Sequence, residues 1–163
     1  MVNVIEMASG TNYVLARHRE YHLYNHYFSP DGKWMAFEAR NKPDRNRLHI
    51  VPFRDRSEVP ESEWITVTDG SFFDDKPRWS PDGNLLYFVS YRDGFLCIWA
   101  IRLDAVSKKP AGVPFPVQHF HRQRLSLVNA GLASLTVPVA KDKLIFGLGE
   151  RTGNVWLGEF QTR

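Results

Sequence analysis

At 163 residues, with 43% hydrophobic and 13% aromatic side chains, the chain has the make-up of one folded domain, and a disordered protein is excluded. Its net charge of +3 comes from 21 basic and 18 acidic residues interspersed along the sequence, so no concentrated basic stripe marks a nucleic-acid binder. No apolar run is long enough for a transmembrane helix, and the single cysteine, Cys97, rules out an internal disulfide.

The start, Met1-Val2-Asn3-Val4-Ile5-Glu6, lacks the basic end and apolar stretch of a secretory signal, and the compartment is left open. Asn12-Tyr13-Val14-Leu15-Ala16 is expected to be a strand without a blade of its own, inside a lead-in over 1–23. His18, His22 and His26 are spaced by four and would share one face of a helix. The segment also holds Tyr21, Tyr24, Tyr27 and Phe28 and feeds a strand, so the helical geometry fails and no metal is expected there.

Phe28-Ser29-Pro30-Asp31-Gly32 recurs 51 residues later as Trp79-Ser80-Pro81-Asp82-Gly83. The following runs match as well: Lys33-Trp34-Met35-Ala36-Phe37 aligns with Asn84-Leu85-Leu86-Tyr87-Phe88. Proline presets φ at the first central turn position, aspartate tolerates the next, and glycine takes the left-handed position that closes the turn. Each run is apolar on both faces, with Trp34 and Ala36 opposing Met35 and Phe37, and Leu85, Tyr87 and Val89 opposing Leu86 and Phe88. Small sheets covered on both faces and repeated at this spacing are propeller blades stacked about an axis.

The fold expected is all-β, with blades of four antiparallel strands and about three blades in the chain. Blade one, 24–70, has strands near 24–28, 34–39, 47–53 and 64–68. Blade two, 71–120, has them near 75–79, 85–90, 96–103 and 115–119. Blade three, 121–163, holds a degenerate copy without the turn, with strands near 132–138, 143–148 and 154–160. Ser107–Pro116 is a loop within blade two. A closed ring needs more than three blades, and two readings are open. The chain is part of a larger propeller, or two copies form a six-bladed ring in which Asn12–Ala16 supplies a missing strand.

The repeat resembles that of TolB-like propellers, bacterial relatives of WD-repeat propellers. The resemblance rests on an aromatic residue, Ser-Pro-Asp-Gly, an apolar strand, a polar turn and an Ile-Trp-like strand. Trp79 to Leu103 follows this pattern throughout, including Arg92-Asp93-Gly94, while Phe28 to Phe53 has Lys42-Pro43-Asp44 at its second turn. Arg124–Leu132 and Asn154–Leu157 look like the closing blade of propellers that end large bacterial proteins, often behind a kinase or winged-helix domain. The resemblance implies the fold and does not specify a ligand.

The sequence has no G-x-S-x-G elbow, kinase signature, P-loop or dinucleotide fingerprint. No catalytic residue, cofactor or metal is therefore expected. His119 and His121 share one side of an extended strand, with no neighbouring carboxylate or cysteine evident in the sequence. Asp74-Asp75 reads as a solvated turn before the inner strand of blade two, and Cys97 as a small buried hydrophobe. Arg40–Arg56, interrupted by Asp44 and Asp55, reads as a solvated rim.

The function expected is an interaction or scaffolding module with a protein or peptide partner. The alternatives are an accessory or regulatory domain of a larger enzyme or signalling protein, and an enzyme with a site facing the channel. Ser29, Pro30, Asp31, Gly32, Ser80, Pro81, Asp82 and Gly83 are uniform and structural. The irregular loops at the other end carry the candidate partner face: Tyr21 and His22; Phe72, Phe73, Asp74 and Asp75; Tyr91, Arg92 and Asp93; His121, Arg122 and Arg124. Aromatic and arginine side chains of this kind dominate binding hot spots.

Overall fold

The computed structural model describes residues 1–42, 45–54, 56–122 and 124–153. Among them are twelve strands, β1 to β12, and two 3-10 turns, Glu61–Glu63 and Val128–Ala130. No helix among the described residues is long and apolar enough to cross a membrane.

Blade one is built from β3 (His22–Phe28), β4 (Trp34–Lys42), β5 (Arg45–Pro52) and β6 (Ile65–Thr66), in that spatial order. Blade two repeats the plan with β7 (Asp74–Trp79), β8 (Leu85–Ser90), β9 (Cys97–Arg102) and β10 (Phe115–Gln118). Every neighbouring pair within the two sheets is antiparallel. These are the strands the repeat predicts, with ends shifted by a few residues.

The Ser-Pro-Asp-Gly turns have the same wiring in both blades. Ser29 Oγ donates to Asp31 Oδ1 at 2.6 Å and accepts from the Trp34 N–H at 3.0 Å. Ser80 makes the matching bonds to Asp82 and from the Leu85 N–H. Gly32 and Gly83 both have φ of +69°, the left-handed conformation the turn demands. A buried lysine, Lys108, reaches back from the β9–β10 loop to donate to the Gly83 carbonyl oxygen at 2.9 Å.

The repeat also preserves a defect. The pairing of β3 with β4 slips between Tyr24 and Tyr27, and that of β7 with β8 slips between Asp75 and Arg78. Asn25 and Lys76 occupy the two bulges with φ of +52° and +57°. Trp79 Nε1 donates to the Tyr27 carbonyl oxygen at 2.9 Å, and the Arg78 guanidinium lies 3.4 Å from the centre of the Tyr27 ring. The first strands of the two blades are thereby joined.

The apolar residues fall into three layers. Ala36, Leu48 and Ile50 of blade one meet Trp79, Leu86, Phe88 and Ile101 of blade two. The outer face of blade one, with Leu23, Met35, Phe37 and Val51, is covered by Val2, Leu15 and Ala16. The outer face of blade two, with Val89 and Ile98, is covered by Phe120, Leu127, Leu135 and Val137.

Asn12–Ala16, read from the sequence as an orphan, is β2 and pairs antiparallel with β1 (Val2–Ile5). Burial of Leu15 and Ala16 against blade one, together with the bond from the Val59 N–H to the Leu15 carbonyl at 2.7 Å, places it there. The third unit departs from expectation. Its described strands are β11 (Leu125–Ser126) and β12 (Gly149–Glu150), and a single bridge joins Val139 to Leu144. Residues 132–138 and 143–148 form no strands, because no Ser-Pro-Asp-Gly turn fixes their register. The strand expected at 154–160, the Asn154–Leu157 motif and the Pro43-Asp44 part of the second turn lie outside the described residues.

The left-handed glycines give a direct test. Gly32→Ala and Gly83→Ala should each destabilise the chain by about 1 kcal/mol through backbone strain. Urea unfolding should show lower midpoints with unchanged slopes. An unchanged midpoint in both variants would contradict the turn conformation.

Candidate functional site

Antiparallel connection places all Ser-Pro-Asp-Gly turns at one end of the blades. Gly83 faces Pro30 there, and a methyl on Gly83 would sit 3.8 Å from Pro30 Cδ. The second turns and the blade-to-blade loops gather at the other end, where the Asn46 N–H donates to the Phe72 carbonyl oxygen at 3.3 Å. This loop end carries three groups of polar side chains.

The first group surrounds Asp74, which is fully buried in β7. Arg92 Nη2 donates to Asp74 Oδ2 at 2.7 Å, and the guanidinium lies 4.9 Å from the centre of the Phe72 ring. Burial raises the Asp74 carboxyl, against the pull of Ser90, Arg92 and Thr68. Phe73 packs edge-on against Tyr91, with centroids 5.9 Å apart.

The second group bridges the blades. Asn25 donates one N–H to Glu38 Oε2 at 2.9 Å and another to Asp75 Oδ1 at 2.8 Å. Glu38 and Asp75 are buried, and Arg40 binds Glu38 Oε1 at 2.6 Å. Burial, then the neighbouring Asp75 carboxylate, pushes the Glu38 carboxyl up to about 8. The Arg40 guanidinium opposes this but is one-third exposed, so solvent weakens its hold. Reading Asp74-Asp75 as a solvated turn is thereby corrected: both lie inside a strand, and each carboxylate has a buried or bridging partner.

The third group was missed in the sequence. Asp93 lies in the β8–β9 turn, Cys97 opens β9, and His119 and His121 follow β10. His119 Nδ1 and His121 Nε2 stand 2.7 and 2.8 Å from the same oxygen, Asp93 Oδ2. Cys97 Sγ is in reach of all three and accepts the Phe120 N–H at 3.2 Å. A carboxylate and a cysteine therefore do accompany the two histidines. The β9–β10 register already pairs Gln118 with Ile98, and one further step brings His119 opposite Cys97. The irregularity between Pro116 and Gln118 sets that register, and the strand assignments alone do not reveal it. Burial alone would push the Asp93 carboxyl up. Bonds from His121, the Phe95 N–H and His119 outweigh it and hold the carboxyl below its ordinary value.

The remaining candidates are more dispersed. His18 turns to Glu61 at 3.1 Å, His22 lies near Tyr24, and His26 lies near Phe37. The three do not converge. Tyr21 packs edge-on to His18 and lies under Arg47. Arg122 is exposed, and Arg124 pairs with Glu150. In the basic stretch, Arg54 pairs with Glu63 and Arg56 with Glu6.

No family model matches the chain. It is 33% identical over 84 residues to an uncharacterized protein of Agrobacterium fabrum, a match spanning 52% of this chain and 26% of that protein. Its structure resembles TolB from Acinetobacter baumannii with a TM-score of 0.60 and 18% identity, over 91% of this chain and 34% of that one. A chain described as a TolB from Agrobacterium tumefaciens aligns at 0.48 and 24% identity, over 63% and 32%. The chain thus spans about a quarter of the curated relative and about a third of each solved chain. The Acinetobacter likeness shows the fold: these are propeller blades.

Two buried groups give the chain a characteristic pH response. Glu38 keeps its proton in the folded chain up to about 8 but loses it near 4.5 when unfolded. Its contribution is complete below 4.5 and is lost as pH rises towards 8. Burial, then Arg47 and His18, lowers His49 from 6.5 to about 4, so its contribution is complete above 6.5 and lost as pH falls towards 4. The two slopes oppose each other from 4.5 to 6.5, and that of Glu38 alone persists to about 8. Urea midpoints should fall between pH 6.5 and 8, and Glu38→Gln should flatten that limb. His49→Phe should expose a decline beginning near pH 4.5. A Glu38→Gln profile parallel to the parent would refute the assignment.

Proposed function

We propose that the chain is a non-catalytic, propeller-type interaction module that binds a protein or peptide at the loop end. The observation that carries this reading is Phe72. Its ring is 38% exposed and is backed by Arg92, which the buried Asp74 holds in place. A ring supported in this way has little freedom left to lose on binding. In this reading Tyr21, His22, Phe73, Tyr91, Asp93, His121, Arg122 and Arg124 complete the partner face, and the buried Asp74 and Asp75 act as supports beneath it. Protein suits this mixed surface better than nucleic acid, because Arg40 and Arg92 there are already engaged by Glu38 and Asp74.

The test compares the two ends. Full-length chain is used to capture proteins from bacterial extract, and the captured species is identified and its affinity measured. Phe72→Ala combined with Arg122→Ala should weaken binding at least about tenfold, the loss expected of a hot-spot pair. Lys33→Ala combined with Asn84→Ala, at the Ser-Pro-Asp-Gly end, should leave it unchanged. Equal losses at both ends, or a loss only at the second, would overturn the face assignment.

For ring closure we propose a second copy of the chain. The support is that, among the described residues, β1–β2 and β11–β12 are two-stranded where the blades between them have four strands. Two-stranded sheets are marginal by themselves and gain from further pairing. Light scattering of the full chain should give the mass of two chains at micromolar concentration. The mass of one chain throughout would leave closure to other blades, as in an accessory propeller of a larger enzyme or signalling protein.

A further inference from the structure

Asp93, Cys97, His119 and His121 come from three separate stretches, and their donor atoms all lie within 4.8 Å of one another. We propose that they form a binding site for one divalent transition-metal ion, with zinc the best match.

The geometry is close to what such an ion needs. Tetrahedral zinc with bonds of about 2.0–2.3 Å holds its donor atoms about 3.3–3.8 Å apart. The separations here run from 2.7 Å, between His119 Nδ1 and Asp93 Oδ2, up to the 4.8 Å limit of the group. Small side-chain rotations cover that difference. A carboxylate that merely orients a histidine needs one imidazole; here two imidazoles aim at one carboxylate oxygen beside a buried sulfur.

The surroundings hold the donors in position. Burial and the Asp93 carboxylate raise the Cys97 thiol; the Phe120 N–H fixes Sγ in place but offsets only part of this, so the ion itself would displace the thiol proton. The Phe95 N–H takes up Asp93 Oδ1 at 3.3 Å and leaves Oδ2 facing the histidines. His121 packs on Phe95 with centroids 4.7 Å apart, and His119 stands edge-on to Trp99 at 6.0 Å. The two imidazoles are 43% and 49% exposed and give an ion a route from solvent, with the sulfur beneath them. One sulfur, two nitrogens and one oxygen suit zinc or cobalt, whereas calcium and magnesium take oxygen ligands. Four protein ligands complete a tetrahedron, which is the pattern of a structural site.

Such an ion would clamp the β8–β9 turn to the segment leaving β10. Phe120, between the two histidines, already packs with Leu127, Leu135 and Val137 against blade two. The ion would therefore fasten the third unit to its neighbour.

The experiment titrates the full chain, freed of metal by a chelator, with cobalt(II) and then zinc(II). Saturation is expected at one cobalt per chain, with thiolate-to-cobalt charge-transfer absorption and the intense visible bands of a tetrahedral site. Zinc should abolish both and raise the melting temperature. His119→Gln and His121→Gln change exposed side chains and should each weaken cobalt binding at least about tenfold. Cys97→Ala should lose the charge-transfer band; if it fails to fold, the two histidine variants decide. Absence of saturable uptake, uptake without the sulfur band, or unchanged affinity in both histidine variants would overturn the proposal.

Discussion

On β4, Met35 and Phe37 point to one side and Ala36 to the other, and all three are buried. A sheet with no wet face cannot stand alone in water, and the other features of the fold follow from supplying it with cover. Blade two covers one side, and the β1–β2 hairpin covers the other. Blade two has the same need and meets it with Phe120, Leu127, Leu135 and Val137. At roughly 1.5–3 kcal/mol for each large apolar side chain buried, these joints outweigh any single hairpin. This explains how the third unit stays packed against its neighbour with so little regular pairing among its described residues.

Apolar contact holds the blades together but has little directional preference. The polar contacts across the joint supply direction: Asn25 to Asp75, Trp79 Nε1 to the Tyr27 carbonyl, and Arg78 over the Tyr27 ring. They are not free of cost. Glu38 and Asp75 bring two carboxyls into one buried place, and the proton that Glu38 retains is the consequence. Asp74 and Arg92 show the same logic at the loop end, where a buried carboxyl fixes a largely buried guanidinium behind Phe72.

The two full blades were legible because their information is local. A turn of four residues sets the register, and both copies carry it at the same spacing. The third unit has no such turn at its expected start, so its apolar residues indicated packing without indicating strands. The loop end was harder for a different reason. Asp74 and Arg92 are 18 residues apart, and a charged pair in a sequence looks solvated until its partner is known. Likewise, nothing in the neighbourhood of His119 and His121 announces Asp93. Only the register of β9 and β10, carried past their ends, brings the histidines back to Cys97 and the turn before it.

The matched bulges at Asn25 and Lys76 have a geometric consequence. A closed ring requires the same angular step at every joint, because an error repeated around the circle leaves a gap or a clash. At Asn25 the bulge turns the side chain out of the pleat so that its amide reaches the first strand of the next blade, whereas Lys76 stays beside Asp75 of its own strand. The irregularity is the same in both blades while the contact made there differs, so the bulge shapes the first strand and the side chain decides what it reaches.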